Sequence, residues 1–202
     1  AMTSCDDFLR QYAQKIQDME LGSDRNPGEF LLVRGVRLRH VRLVDSQPFA
    51  AGGMRKYSAE LEIDKACGHT VADIDNVTQM VFSQGLARYA MWCDSGSTQV
   101  GDGTGTRLKR FFSCVHDGDL EDGQNRRYKP GRIYMTARNK YRPILVDVYG
   151  NPIEADAIRD RCCANVVLMF YSYLIANDPR YPQDVGDTLC VGSILVAVET
   201  IP

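Results

Sequence analysis

Apolar and polar positions in the first third of the chain predict one amphipathic helix followed by two strands. Residues 4–21 carry a capping pair and then apolar side chains at helical spacing. Between Phe30 and Val44 the residues alternate as in a strand, but the alternation changes phase twice, which predicts bulges, one of them at Gly35. Residues 56–63 alternate strictly and predict a half-buried strand with Tyr57 facing inward.

The rest of the chain predicts one long helix and five further strands. A capping signal near position 70 precedes an apolar helical pattern that extends to about Trp92, and residues 94–106, rich in Gly, Ser, Thr and Asp, predict a flexible loop. Turn residues separate strands predicted at 107–115, 132–137, 144–148, 163–176 and 188–200. The fold class is therefore mainly β (α+β), and the elements favour an OB-fold-like five-stranded barrel with additional strands and two or three peripheral helices.

Size and composition indicate a single domain with its own hydrophobic core. The chain has 202 residues, so we expect one domain over residues 1–202, in which residues 1–29 form an N-terminal helix and linker. No apolar run is long enough to span a membrane, and no leader pattern opens the chain, so we expect a soluble cytoplasmic protein. Seven cysteines without a CxxC pair fit neither a disulfide framework nor a zinc site, and no cofactor is predicted.

Basic charge is concentrated in two stretches although the whole chain has a net charge of −2. Residues 107–142 carry ten Lys or Arg against four Asp or Glu, with aromatic residues between them, and residues 31–44 carry four Arg. Cations attract a phosphate backbone regardless of sequence, and aromatic faces stack on unpaired bases, so the combination favours single-stranded nucleic acid over duplex. On composition alone, two solvated strand faces remain an open alternative.

Strand alternation selects the candidate binding residues within the longer basic stretch. In residues 132–138 it sets Tyr134 between Arg132 and Arg138 on the polar face, which is the arrangement of a stacking platform. In residues 107–115 it groups three residues on the binding face, Arg107, Lys109 and Phe111, and leaves Leu108, Phe112 and Cys114 for the core. Three more candidates lie in the loop that follows the 132–137 strand, namely Lys140, Tyr141 and Arg142.

An acidic loop leaves two other function classes open. Asp117, Asp119 and Glu121 in the segment CVHDGDLEDG could hold a divalent cation in a nuclease, but their spacing matches no calcium loop and a plain acidic hairpin turn explains them better. No phosphate-loop or GxSxG motif is present, and catalysis has no positive support. A structural or assembly protein that packs against copies of itself is the remaining class, and a homodimer is left open.

Four segments, taken in order, resemble phage-encoded single-stranded DNA-binding proteins: VRLRHVRLVDSQPF, KYSAELEIDK, the HDGD turn and YKPGRIYMTARNKYRPILVD. The resemblance covers roughly residues 30–200. It implies an OB-fold protein without enzymatic activity that coats and protects single-stranded DNA, regardless of sequence, during phage replication and recombination in the cytoplasm of the infected host. The binding surface that the resemblance implies comprises the nine strand and loop candidates named above, extended by Arg37 and Arg39.

The end of the chain departs from the pattern of these proteins. They often end in an acidic tail that contacts the replication machinery, and this sequence ends VAVETIP without an acidic run. Contacts with phage or host replication proteins are therefore left open.

Overall fold

The computed structural model describes residues 2–21, 28–49, 52–94, 107–120 and 128–202. The helices are α1 (Cys5–Gln11), α2 (Ala13–Asp18) and α3 (Gly68–Asp94), with a 3-10 turn at Ala155–Ala157. The strands are β1 (Glu29–Pro48), β2 (Arg55–Asp64), β3 (Leu108–Ser113), β4 (Val115–Asp117), β5 (Arg132–Asn139), β6 (Ile144–Val146), β7 (Cys163–Ile175) and β8 (Asp187–Thr200). The predicted 94–106 loop and Glu121 lie largely or wholly outside the described residues.

Five of the strands close into a barrel in the order β1-β2-β5-β8-β7, and β7 returns to β1. All these neighbours are antiparallel except β5 and β8, which run parallel and pair where Arg138 lies opposite Ile194. This is the topology of an OB fold, a partly open five-stranded barrel. The predicted fold class is confirmed, with three additional strands and three peripheral helices.

Three register shifts bend β1 so that its halves pair with different neighbours, and the last of them lies between Arg42 and Gln47. The first half pairs with β7 and the second with β2. The register shifts between Val33 and Val36, where Gly35 has a φ of +65°, as predicted from the change of phase. A second shift lies between Arg39 and Arg42, at His40 with a φ of +49°. The bend lets one strand close the barrel.

The segment from β3 to β4 fills the gap where β5 and β8 diverge. β3 runs parallel to β8, whereas β4 pairs antiparallel with β5. The chain passes from one strand to the other at Cys114, whose N–H donates to the carbonyl of Val191. The single strand predicted at 107–115 is therefore two strands, and its aromatic side chains reach two different faces.

The helices cover two hydrophobic clusters. Ile74 and Val81 of α3 are buried in the main core with Phe170 of β7. Phe8 of α1 lies in a second cluster, outside the barrel wall, together with Met19 at the end of α2. The candidate site lies on another face of the wall, bordered by the end of α2.

Candidate nucleic-acid interface

A groove of about 670 Å³ crosses the barrel between the β1–β2 connection and the β7–β8 connection. Its aromatic lining comprises Phe49, Phe112, His116, Tyr128, Tyr171 and Tyr173. Its cationic lining comprises Lys56, Arg138, Lys140 and Arg180. Both connections and the face of the second and third barrel strands form the usual ligand site of OB folds. The groove is thus in the position where such a barrel takes up an oligonucleotide.

Two tyrosines of β7 form the floor of the groove. Tyr171 and Tyr173 project to the same side, with ring centroids 5.7 Å apart. Tyr171 lies against Gly192 of β8, where a Cβ would come within 2.9 Å of the ring, so glycine is needed for this close approach. Burial raises the pKa of the Tyr173 phenol to about 12. The phenol is neutral at physiological pH, and 38% of Tyr173 is exposed to solvent.

Cations are held over aromatic rings on both sides of this floor. On one side Phe49 lies beneath two of them, with the Arg138 guanidinium 4.5 Å and the Lys56 Nζ 5.1 Å from the ring centroid. On the other side the Arg180 guanidinium lies 5.4 Å from the Phe112 ring. The groove therefore has stacking surfaces flanked by positive charge.

The position of Arg180 is fixed by a buried carboxylate. Asp178 accepts from Arg180 Nε at 2.9 Å and from Nη2 at 2.6 Å. These hydrogen bonds from the Arg180 guanidinium hold the pKa of the Asp178 carboxyl well below its usual range. The guanidinium is oriented by this contact and still faces the groove.

A row of rings extends from the groove along β4. The His116 ring is stacked on Tyr128 with centroids 5.3 Å apart and planes at 10°, and Phe112 meets His116 edge-on at 6.3 Å. Tyr128 in turn packs at 4.8 Å against Tyr134. The exposed part of this row continues the stacking surface beyond the two tyrosines of the floor.

Only part of the predicted binding set reaches the groove. Arg138 and Lys140 line it. The β3 candidates face the other way: Phe111 meets Phe82 of α3 edge-on at 5.8 Å, and Lys109 is paired with Asp184 at 2.6 Å. Arg107 is exposed just before β3. The assignment of Phe112 to the core was wrong, because this ring, not that of Phe111, faces the groove.

The expectation that Tyr134 is an exposed stacking platform is also wrong. Its side chain is fully buried and its hydroxyl accepts from the Lys129 N–H at 3.0 Å. The Arg39 guanidinium covers the ring at 5.2 Å. A base could contact the Tyr134 ring only if the Arg39 side chain moved away. Tyr134 therefore packs against Tyr128 and supports the row of rings without being a stacking surface itself.

The neighbouring arginines are neutralised by glutamates that alternation had assigned to a solvent face. Glu60 and Glu62 of β2 are buried. Arg39 lies 3.6 Å from Glu60 and 3.5 Å from Glu62, and Arg132 lies 3.8 Å from Glu62. Arg37 of the same region is exposed. Because these glutamates neutralise them, Arg39 and Arg132 attract a phosphate less strongly than an unpaired arginine would.

The loop candidates after β5 divide between two surfaces. Lys140 faces the groove, whereas Tyr141 and Arg142 line a separate groove beside α2. Arg142 donates to the carbonyl of Val44 at 2.8 Å and lies 5.4 Å from the Tyr57 ring. Arg142 therefore contacts β1 and β2 and does not line the main groove.

The HDGD turn is built as a structural clamp. Lys65 Nζ lies 2.5 Å from Asp117 and 2.6 Å from Asp119. Asp119 also accepts from the Gly131 N–H at 2.8 Å. Among the described residues, no group of three or more His, Cys, Asp or Glu side chains is arranged to hold a metal ion. The two described carboxylates of the nuclease alternative are thus engaged by a lysine.

Several groove residues were missed by the sequence analysis. They are Phe49, Lys56, Tyr171, Tyr173 and Arg180. The spacing of the two tyrosines in FYSYL was a usable signal, because residues two apart in a strand share a face. Most other positions of that strand are apolar, so the two tyrosines do not stand out as a polar face.

The barrel and groove together define an oligonucleotide-binding type of protein, and comparisons with known proteins specify the family. A family model described as the ssDNA-binding protein of Enterobacter phage Enc34 matches residues 30–182. The chain therefore belongs to this family of phage single-stranded DNA-binding proteins, and the family predicted from sequence is confirmed.

Individual relatives are distant in sequence and similar in fold. A putative protein p50 of Acyrthosiphon pisum secondary endosymbiont phage 1 is 24% identical over 143 residues, covering 70% of this chain and 72% of the relative. The single-stranded DNA-binding protein from bacteriophage Enc34, solved in complex with ssDNA, is similar with a TM-score of 0.58 and 17% identity over 85% of each chain. The single-stranded DNA-binding protein gp2.5 of bacteriophage T7 has a TM-score of 0.56 and 10% identity over 86% of this chain and 91% of that one.

As regards membranes, none of the helices in the described ranges is both long and apolar enough to cross a bilayer.

Proposed function

We propose that this protein binds single-stranded DNA in the groove, without sequence preference and without catalysis, during phage DNA replication and recombination in the infected bacterial cytoplasm. The observation that carries the proposal is the groove itself, in which the neutral rings of Tyr171 and Tyr173 are flanked by Arg138 and Arg180. Rings of this kind stack on any base, and the cations attract any phosphate. Membership of the phage family supports the same function.

Neither alternative function has a specific observation in its favour. A metal-dependent nuclease would need the carboxylates of Asp117 and Asp119 for its cation, and both are engaged by Lys65. For an assembly protein, cations held over exposed rings are not specifically required, whereas the phosphates and bases of a nucleic acid bind both kinds of group.

The direct test is fluorescence anisotropy of a labelled mixed-sequence oligonucleotide, single-stranded and as duplex, over a range of salt concentrations. We expect strong preference for the single strand and a log–log salt slope of about −2 to −3, because about three or four groove cations neutralise phosphates at about 0.7 each. Absence of binding to either form at low salt would contradict the proposal.

The position of the site is tested by comparing two cations of the basic stretch. Arg138→Ala should weaken single-strand binding about fivefold or more and reduce the salt slope by about 0.7, because its guanidinium lines the groove. Lys109→Ala should change affinity less than about twofold, because Asp184 already pairs with that exposed charge. Equal losses from the two variants would move the binding surface toward β3.

A further inference from the structure

The end of α2 brings one carboxylate into the groove. Met19, Glu20 and Leu21 all line it, and Glu20 is the acidic residue among its described lining. Two donors converge on a single oxygen of that side chain, Lys140 Nζ at 3.0 Å and Tyr141 Oη at 3.1 Å from Oε2. The arrangement is that of a small anion site whose occupant comes from the chain itself.

The backbone presents this side chain at a fixed point. Met19 is buried in the second cluster, and its sulfur lies 3.6 Å from Asn139 Nδ2. Glu20 follows with a φ of +50°, a conformation that residues other than glycine adopt infrequently. The helix end is therefore anchored, and the strained residue is the one that meets the groove cation.

We propose that Glu20 is an internal competitor for the DNA backbone, and that its carboxylate occupies the place that a phosphate oxygen takes at Lys140 and Tyr141. Carboxylate and phosphodiester both present anionic oxygens to the same two donors, Tyr141 has a single O–H to donate, and two adjacent anions repel each other, so they compete for this place. The exchange is easy because the ion pair is exposed, with 68% of the Glu20 side chain accessible, and exposed pairs are weak. This inference rests on the proposed function.

The pair is fully charged in the free protein at neutral pH. The Lys140 ammonium holds the pKa of the Glu20 carboxyl below its usual value, and Glu20 raises the pKa of Lys140. Lys140 therefore enters DNA binding already neutralised, and its contribution to phosphate attraction is reduced while Glu20 is present.

The test is Glu20→Gln in the full chain, with binding of the labelled oligonucleotide measured by anisotropy. We expect binding about two- to fivefold tighter at low salt, because one weak competing ion pair is removed. The salt slope should become steeper by about 0.7, because Lys140 then neutralises one more phosphate, and the gain should shrink as salt rises. Glu20→Ala serves as a second variant, and a thermal melt verifies that each is folded.

Two controls separate competition from a general change of charge. Asp156→Asn makes the same change of net charge at an exposed residue outside the groove lining, and it should leave affinity unchanged. In a Lys140→Ala background, Glu20→Gln should lose its effect, because the site that both anions share is gone.

The outcomes are distinct. A gain that equals that of Asp156→Asn, or that persists without Lys140, overturns the competition and leaves single-strand binding intact. A wild-type protein that does not bind the oligonucleotide at all overturns the proposed function together with this inference.

Discussion

Tyr173→Ala should weaken single-stranded DNA binding by about 1–3 kcal/mol, which is about 5- to 150-fold, with little loss of stability. The ring lies on the groove floor, 5.7 Å from that of Tyr171, and 38% of the residue is exposed. Its phenol is neutral at physiological pH, and burial raises its pKa further, to about 12. A neutral, partly exposed ring beside a second ring offers a stacking face for consecutive bases. Anisotropy with a mixed-sequence oligonucleotide measures the loss.

Matched variants identify the ring itself as the cause. Tyr173→Phe keeps the stacking face and should bind nearly as tightly as the wild type. Tyr149→Ala removes a tyrosine that is 82% exposed and lies outside the groove lining, and it should have no effect on affinity. A similar loss from Tyr149→Ala, or an unchanged affinity for Tyr173→Ala in a folded protein, would exclude the β7 floor as the stacking surface.

The barrel was predictable because its strands carry strong local signals. The change of alternation at Gly35 marked the bulge that bends β1, and the long apolar runs at 163–176 and 188–200 marked the strands β7 and β8. These signals lie within single strands. The fold class follows from them without knowledge of which strands are neighbours.

The groove was less predictable because it depends on contacts between distant segments. Alternation put Tyr134 on the polar face of its own strand, and in the sheet Tyr134 lies opposite Glu62 of β2. That face is nevertheless buried, because Arg39 covers the ring and the segment at Lys129 folds back to its hydroxyl. Neither contact can be inferred from the period of β5 alone.

The incorrect choice between Phe111 and Phe112 of β3 has a similar cause. Phe111 and Phe112 are adjacent, so alternation must send one to each side but cannot say which side is the groove. The parallel pairing of β3 with β8 decides it and sets Phe111 toward α3. The basic residues that share a face with Phe111 consequently lie away from the groove.

The HDGD turn, by contrast, is conspicuous in sequence and acts on stability. Gly118 packs so closely against the next segment that a Cβ would lie 2.0 Å from the Lys129 carbonyl oxygen. Its own N–H donates to the Arg132 carbonyl at 2.9 Å, so the turn cannot move away without losing that bond. Backbone atoms on both sides leave no flexible side chain to yield.

Gly118→Ala should therefore lower the free energy of unfolding by about 2–4 kcal/mol and the melting temperature by about 5–15 °C. Gly68→Ala is the matched control, because a Cβ there would meet no described atom within 4 Å and should leave the melt nearly unchanged. Thermal and urea unfolding measure both variants. Since Tyr128 is next to Lys129 and stacks on His116, the same substitution should also weaken single-strand binding by disturbing the row of rings. A Gly118→Ala protein as stable as Gly68→Ala would contradict the clamp and return the acidic turn to consideration as a functional loop.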